Sequence, residues 1–222
     1  MKILGVVDIH SKHERIPDLL WEAEDADLVL IAGDITNFGD RTAAQEVLDP
    51  ILDRCQSVFA VSGNCDRPAV DEYLIERKIA VEDNPQCLEV DGMSIGIFGM
   101  GGSLPCPGTT PHEHSEEEFR TCLRRDFVKV RSCDRTIGII HQPAHRTEVD
   151  RSLLAGHVGS IAVRECIEEL QPTMVFSGHI HESRGEDTIG QTALVNPGPF
   201  LKGYYFSALL TPDSLNITMK QL

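Results

Sequence analysis

The sequence predicts an α/β protein with mixed sheets, and three stretches of the 222-residue chain support that fold class. The opening alternates short apolar runs with amphipathic segments in the order βαβαβ, which is typical of a parallel sheet covered by helices. The middle carries Asp91-Gly92 between two apolar runs, which favours a β-hairpin. The C-terminal part reads as antiparallel strands. We therefore expect parallel and antiparallel pairing in one molecule.

The opening contains three strands and three helices. Apolar residues recur at helical spacing over positions 16–23 and again over 43–52. Pro50 is expected to kink or break the second helix. The third helix is expected from Pro68, because proline is favoured in the first turn. The strands are predicted at Ile3–Val7, Leu28–Ala32 and Ser57–Val61.

The rest of the chain follows a different pattern. The hairpin is predicted from Cys87–Val90 and Met93–Phe98. Residues 99–114 form a loop rich in glycine, proline and histidine, too long for a simple connection and therefore functional or mobile. The remaining elements are a helix over 119–130, a strand at Arg135–Ile140, a helix at Ile161–Leu170, a strand at Met174–Ser177 and antiparallel runs at 187–195, 203–210 and 215–219.

The organisation of the chain predicts a single domain over residues 1–222, since no repeat or linker divides it. No signal-peptide pattern or membrane-length apolar run is found, so no membrane partner is expected. Seven cysteines, an odd number without a CxxC pair, suggest neither a disulfide framework nor a zinc knuckle. Free thiols fit a reducing compartment, which predicts a cytoplasmic location.

The formal net charge of −15 limits the kinds of molecule that the protein is expected to bind. A surface this acidic repels the phosphate backbone, so binding to a nucleic acid duplex is not expected. The oligomeric state stays open.

Polar residues able to bind metals recur just after the predicted strands. In open α/β sheets, sites form beyond the carboxyl ends of the strands, so these residues are expected to share one crevice. Taken singly, each of them is more often part of a turn or a surface histidine. Together they favour a functional site. They are Asp8 and His10, Asp34, Asn64 with Cys65 and Asp66, His141, and His179 with His181.

This pattern resembles the calcineurin-like metallophosphoesterases, and the resemblance extends from Asp8 to Asn196-Pro197-Gly198. The chain looks most like the small single-domain prokaryotic phosphoesterases and phosphodiesterases of that family. The resemblance implies a four-layer αββα sandwich of two mixed sheets flanked by helices. It also implies two metal sites. Asp8, His10, Asp34 and His181 would hold one ion, and Asp34, Asn64, His141 and His179 the other, with Asp34 bridging.

The donor types agree with that assignment. Imidazole, carboxylate and amide oxygen suit Mn²⁺, Fe²⁺, Ni²⁺ or Zn²⁺, whereas an all-oxygen Mg²⁺ site would not need four histidines. Two such ions about 3.5–4 Å apart lower the pKa of a bridging water and clamp a phosphate oxygen. The expected substrate is a small phosphoester, attacked by the bridging hydroxide without a covalent intermediate.

Cys65 departs from the family pattern, which often has histidine at this position, thought to protonate the leaving oxygen. A thiol with an ordinary pKa of about 8.5 is a poor replacement for imidazole as an acid. Packing is the favoured role for Cys65, and a catalytic or metal-binding role is the alternative. Asp66 is expected to orient a ligand or the turn.

Residues 156–160 precede a helix, and they contain a candidate substrate contact. His157 and exposed backbone N–H groups there are suited to receive a phosphate oxygen. An ordinary helix cap with Ser160 as the capping residue is an equal alternative. A metal role for His112 and His114 in the long loop is not expected.

A metal-dependent phosphodiesterase is the favoured function. The alternatives are a phosphomonoesterase acting on nucleotides or proteins, and a non-catalytic interaction module on the same fold. The absence of imidazole at position 65 favours diesters by resemblance. A non-catalytic module predicts eroded ligands, and all seven are present.

Overall fold

The computed structural model describes residues 1–222 as two large β-sheets with helices on their outer faces and a separate two-stranded sheet. The helices are α1 (Ile16–Glu22), α2 (Arg41–Leu52), α3 (Pro68–Glu76), α4 (Glu116–Val130) and α5 (Ile161–Leu170). The strands are β1 (Lys2–Val6), β2 (Leu28–Ala32), β3 (Val58–Val61), β4 (Gln86–Val90), β5 (Met93–Met100), β6 (Arg135–Ile140), β7 (Arg151–Ser152), β8 (Gly156–His157), β9 (Met174–Phe176), β10 (Gly185–Ile189), β11 (Thr192–Asn196), β12 (Tyr204–Leu210) and β13 (Leu215–Gln221).

The first large sheet has the strand order β13-β12-β1-β2-β3, and the second β10-β11-β9-β6-β5-β4, while β7 and β8 pair with each other. Both large sheets are mixed. In the first sheet, β1, β2 and β3 are parallel, and β12 and β13 continue it in antiparallel fashion. In the second, β5, β6, β9 and β11 are parallel, with β4 and β10 antiparallel at the two edges. The predicted mixed-sheet α/β fold is therefore confirmed.

Three apolar layers hold the sheets and helices together. Successive strand residues point to opposite faces, so Ile3 packs between the two sheets while Leu4 packs under the helices of the first sheet. The layer between the sheets includes Phe176 and Phe206, whose rings meet edge to face at 4.9 Å. A third apolar cluster packs α4 and α5 against the second sheet. The order of layers is α, β, β, α.

Several boundaries differ from the sequence-based expectation. Helix α2 continues through Pro50 and ends two residues later, because a proline in the last turn removes one hydrogen bond close to where the helix stops anyway. The run 187–195 is two strands, β10 and β11, joined at Gly190. The prediction of a wholly antiparallel tail is wrong, because β11 pairs in parallel with β9.

None of the five helices has the length and apolar character needed to cross a membrane.

Candidate metal centre

The side chains predicted as metal ligands lie where the parallel strands of both sheets end. Asp8 and His10 follow β1, Asp34 follows β2, Asn64 follows β3, His141 follows β6, and His179 and His181 follow β9. The carboxyl ends of the two parallel sets open on one crevice, which is where α/β sheets place their sites.

Asp34 lies at the middle of this group. Its Oδ2 is 3.6 Å from His10 Nε2 and its Oδ1 is 3.6 Å from His141 Nε2. The ligand atoms of Asp8, His10 and His181 form a neighbouring set, all within 4.8 Å of one another. A carboxylate whose two oxygens face different imidazoles is suited to bridge two cations.

The Nε2 atom of His141 faces a second hydrogen-bond acceptor. Its Nδ1 lies 2.6 Å from the carbonyl oxygen of Ala32 and therefore donates the ring proton there. Its Nε2 lies 3.0 Å from Asn64 Oδ1, which is also an acceptor. Burial lowers the pKa of His141, so the ring does not carry a second proton at neutral pH. Two buried acceptors at this distance fit a cation placed between them.

Other polar atoms of the group also lack protein partners. Asp8 Oδ2 and His10 Nδ1 are buried and make no hydrogen bond. Buried polar atoms without partners are rare in folded proteins. Metal coordination would satisfy the carboxylate oxygen, so the residues present fit divalent ions.

The charge states of these residues suit metal binding as well. Burial and the neighbouring His141 lower the pKa of His179 to about 3, so its ring is neutral and able to coordinate. Burial and the charge of Asp8 raise the pKa of Asp34 to about 6. Divalent cations would relieve this repulsion between carboxylates.

Several ligand residues have strained backbones. Asp8, His10, Asp34 and His179 have φ angles of 54°, 49°, 48° and 66°, which lie in the left-handed region. Residues other than glycine rarely adopt it, at a cost of about 1–3 kcal/mol each. Such strain clusters at functional sites because the fold holds the side chains in a required geometry.

Two neighbouring residues fix the loops that carry the ligands. Gly63 packs so closely that an added Cβ would lie 2.1 Å from both the backbone nitrogen and Oδ1 of Asp34. Asp66 is fully buried and accepts hydrogen bonds from the backbone N–H groups of Ile35, Thr36 and Gly63, at 3.0, 2.7 and 2.8 Å. Asp66 thus joins the loops after β2 and β3, two of the loops that carry candidate ligands.

Cys65 lies within this centre. Its Sγ belongs to a set with His10 and Asp34 in which all ligand atoms lie within 4.8 Å of one another. Its backbone N–H donates to Asp34 Oδ1 at 2.8 Å. Burial and the charge of Asp34 raise the pKa of the Cys65 thiol well above its ordinary value, so the metal-free site holds it as a neutral thiol.

His179 has a neighbour that the sequence did not suggest. Its Nε2 lies 3.6 Å from Cys106 Sγ, and its ring centroid is 5.3 Å from that of His141. Cys106 belongs to the long loop, which is tied to the centre by a hydrogen bond from the His112 N–H to the carbonyl of Asn64. No motif marks Cys106, since only the folded loop brings it to the ligands. His112 and His114 contact each other and do not join the ligand cluster.

The structure corrects the expectation for residues 156–160. Ser160 caps α5, as one of the two alternatives predicted. The backbone N–H groups of Ile161 and Ala162 donate to the Glu116 carboxylate at 3.0 and 2.8 Å. The predicted phosphate site at this helix end is therefore wrong, because a protein carboxylate already occupies it. His157 points elsewhere and pairs with Asp150, with Nδ1 2.6 Å from Oδ1.

Two solved structures share the fold. Protein TT1561 of Thermus thermophilus has a TM-score of 0.74 at 16% identity, covering 98% of this chain and 97% of that one. The phosphopantetheinyl hydrolase of Mycobacterium tuberculosis has a TM-score of 0.63 at 12% identity, covering 89% and 88%. At such identities the likeness concerns the fold alone.

Sequence comparisons are more specific. The uncharacterized protein MJ1162 of Methanocaldococcus jannaschii is 35% identical over 213 residues, which cover 92% of this chain and 90% of that protein. The family model of the calcineurin-like phosphoesterase superfamily domain matches residues 1–203, which include every predicted ligand. The chain therefore belongs to the calcineurin-like phosphoesterase superfamily.

Proposed function

We propose that this protein is a phosphodiesterase that holds two divalent transition-metal ions, Mn²⁺, Fe²⁺, Ni²⁺ or Zn²⁺. The family consists of metal-dependent phosphoesterases, which supports the reaction class. The observation that carries the proposal is the position of Asp34, with one oxygen facing His10 and the other facing His141 at 3.6 Å each.

The proposed ligand sets follow this geometry. One set lies on one side of Asp34 and consists of Asp8, His10 and His181. The other set contains His141 and Asn64, whose ligand atoms lie 3.0 Å apart. His179 completes the second set in the proposal, since its ring lies beside that of His141.

Exposure of the ligands indicates how a substrate would approach. The carboxylates, Asn64 and His141 are buried, whereas His10, His179 and His181 are partly exposed. A bound phosphoester would therefore meet the centre from the side of these three histidines.

Two ions held here would supply an activated water and neutralise charge on the phosphoryl oxygens. The protein's own contribution is positioning. Asp66 and Gly63 hold the loops in place, and Asp34 is kept at the centre of the group. Cys65 does not provide an imidazole to protonate the leaving oxygen. The reaction therefore depends on the acidity of the leaving group itself.

This dependence favours activated diesters over alkyl esters. A phosphomonoesterase is the alternative enzyme, and the relative rates on matched substrates decide between the two. A non-catalytic interaction module on the same fold is disfavoured, because the proposed ligand set is complete and four of its residues have strained backbones.

The test compares bis(p-nitrophenyl) phosphate, p-nitrophenyl phosphate and a dialkyl phosphate after reconstitution with each metal. We expect the bis-aryl diester to be hydrolysed fastest and a chelator to abolish the activity. Both esters with p-nitrophenolate as the leaving group should react faster than the dialkyl phosphate, which must release an alkoxide.

His141→Ala should abolish hydrolysis, whereas His13→Ala, which changes an exposed histidine, should not affect it. Faster hydrolysis of the monoester would assign the protein as a phosphomonoesterase. Undiminished hydrolysis by His141→Ala would rule out catalysis at this centre.

A further inference from the structure

A polar groove lies beside the metal centre. Its volume is about 730 Å³, and its lining includes Arg151, Ser152, His157, Glu182, Ser183 and Arg184. One wall is the β7–β8 hairpin. The other wall is the segment that directly follows the ligand His181.

Hydrogen bonds tie the two walls to each other and to the residue that follows His141. The Ser183 hydroxyl donates to the carbonyl of Arg151 at 2.6 Å, and the Leu153 N–H donates to Glu182 at 3.0 Å. On the other side, the side chain of Gln142, the residue after the ligand His141, donates to the carbonyl of Val158 at 3.1 Å. The hairpin thus connects the segments after His141 and His181, and the groove extends outward from them.

Arg184 is the cation of this groove whose charge is not compensated. Arg151 pairs with Glu148 at 3.0 Å, and Glu182 is engaged by the hairpin backbone. Arg184 makes no ion pair, and its guanidinium lies 4.7 Å from the centre of the Tyr204 ring. Aromatic stacking of this kind orients a guanidinium and leaves its N–H groups for an oxyanion.

The stem of Arg184 is also held in place. It packs on Gly198, where an added Cβ would lie 3.1–3.2 Å from three of its side-chain carbons. Gly198 has a φ of 82°, so the backbone at this position favours glycine as well. The loop continues to Leu201, whose N–H donates to the carbonyl of the ligand Asp8 at 3.1 Å. The stem of Arg184 therefore packs on a loop that is hydrogen-bonded to the segment carrying Asp8.

His157 is oriented in the same groove. Its Nδ1–H donates to Asp150, which is fully buried and also accepts the backbone N–H groups of Thr147 and Gly159, at 2.9 and 3.0 Å. The Nε2 atom of His157 makes no hydrogen bond within the protein. It is available to a group bound in the groove.

We infer that this groove binds the part of the substrate beyond the scissile phosphate, and that Arg184 recognises an oxyanion carried by that part. The inference rests on the proposed function and deepens it. It assigns the substrate class as phosphodiesters with a second anionic group, either a carboxylate or a phosphate. Both are oxyanions that a guanidinium binds through paired N–H groups.

The experiment uses p-nitrophenyl phosphodiesters whose second ester group is an alkyl chain or the same chain ending in a carboxylate. Short, medium and long chains are compared. For at least one length, the carboxylate should lower KM about tenfold for the metal-loaded protein, the effect of one charge-assisted contact. Arg184→Gln should remove that gain and Arg184→Lys should retain part of it. A parallel series ending in a phosphonate distinguishes the two oxyanions.

Arg54→Gln serves as the control, because Arg54 is exposed and distant from the groove in the fold. It should keep the full gain. The inference is overturned when no anionic chain lowers KM, or when the gain persists in Arg184→Gln.

Binding of the same esters, measured by calorimetry, separates this inference from the proposed function. Absence of hydrolysis with every ester contradicts the proposed function. If the anionic chain raises the affinity and Arg184→Gln removes that gain, the inference about the groove is still supported. If the anionic chain does not raise the affinity, the inference is overturned.

Discussion

At the residue scale, the candidate ligands Asp8, His10 and His179 have left-handed backbones, which residues other than glycine rarely adopt. Each ligand follows an apolar strand, and that position can be read from the hydrophobic pattern. The left-handed backbones of Asp8, His10 and His179 have no such signal, because positive φ is indicated in a sequence chiefly by glycine. They depend on long-range hydrogen bonds, such as that from the His10 N–H to the carbonyl of Asp34 at 2.9 Å.

Asp34→Asn tests the bridging role. The substitution removes a charge shared by both proposed ions, so both affinities should weaken together, by at least about tenfold each. Calorimetric titration with Mn²⁺ or Zn²⁺ measures this. Asp53→Asn, an exposed aspartate at the end of α2, should leave both affinities unchanged. Two tight ions in Asp34→Asn would show that Asp34 does not bridge.

The pKa of Asp34 predicts a pH dependence of metal binding. Burial and the charge of Asp8 raise this pKa to about 6, so protons compete with metal below that pH. Affinity should fall by up to about tenfold per pH unit below about 6 as Asp34 takes up its proton. His181 adds to the loss, because the Asp8 carboxylate, against the effect of burial, raises the pKa of this candidate ligand. His179 does not compete in this range, because its pKa is lowered to about 3 by burial and His141. Affinity that stays constant down to pH of about 4 would contradict the account.

The contribution of Asp34 to the stability of the metal-free protein has the opposite pH dependence to its contribution to metal binding. A raised carboxyl pKa means that the folded state disfavours the ionised form. The contribution of Asp34 to stability is therefore present at low pH and lost as pH rises through the folded-state pKa of about 6. Acidification from neutral pH toward about 5 should strengthen this contribution in the metal-free protein while weakening metal binding. Chemical unfolding of the metal-free protein at both pH values, compared with Asp34→Asn, measures the contribution.

Cys65→Ser tests whether the thiol takes part in the chemistry. Burial and Asp34 raise the pKa of this thiol, so we expect packing to be its role. General acid catalysis contributes about 10²–10⁴-fold. Because we expect no such contribution from Cys65, activity on aryl diesters should change by less than about tenfold. Rates are compared at saturating metal, with metal content measured for each variant. A hundredfold loss with both ions bound, which is roughly the lower limit of general acid catalysis, would assign Cys65 a chemical role.

At the element scale, long apolar elements were predicted well and short polar ones were missed. The β7–β8 hairpin has two residues in each strand, too few to show an alternating pattern. Its position follows from contacts such as Ser183 with Arg151, which lie far apart in the sequence. The parallel pairing of β11 was missed for a related reason. The turn between β10 and β11 determines only their antiparallel pairing, whereas the pairing of β11 with β9 depends on the assembled sheet.

Gly63→Ala tests the contact between the loops after β2 and β3. A Cβ at this position would lie 2.1 Å from the backbone nitrogen of Asp34, so the two loops must separate. We expect weaker metal binding and a lower melting temperature. Gly185→Ala is the matched control, because the nearest atoms to its added Cβ lie 4.0 Å away. Equal metal affinity in Gly63→Ala and the wild type would show that this close approach does not position Asp34.

At the scale of the whole molecule, the fold class followed from the sequence and the order of the strands did not. The βαβαβ opening predicted the parallel half of the first sheet. The return of β12 to pair with β1 joins residues near opposite ends of the chain, such as Lys2 and Leu209, and no local pattern indicates it. This pairing completes the sheet whose strand ends carry Asp8, Asp34 and Asn64.

The number of ions held by the whole molecule can be measured directly. Candidate ligands from both sheets meet around Asp34, so the folded chain should bind two divalent transition ions at this centre. The measurement is the metal content per chain after reconstitution with Mn²⁺ or Zn²⁺ and removal of excess metal, by mass spectrometry of the elements, with circular dichroism to confirm folding. Two ions per chain are predicted for the wild type. One ion or none in the folded protein would contradict the two-metal centre.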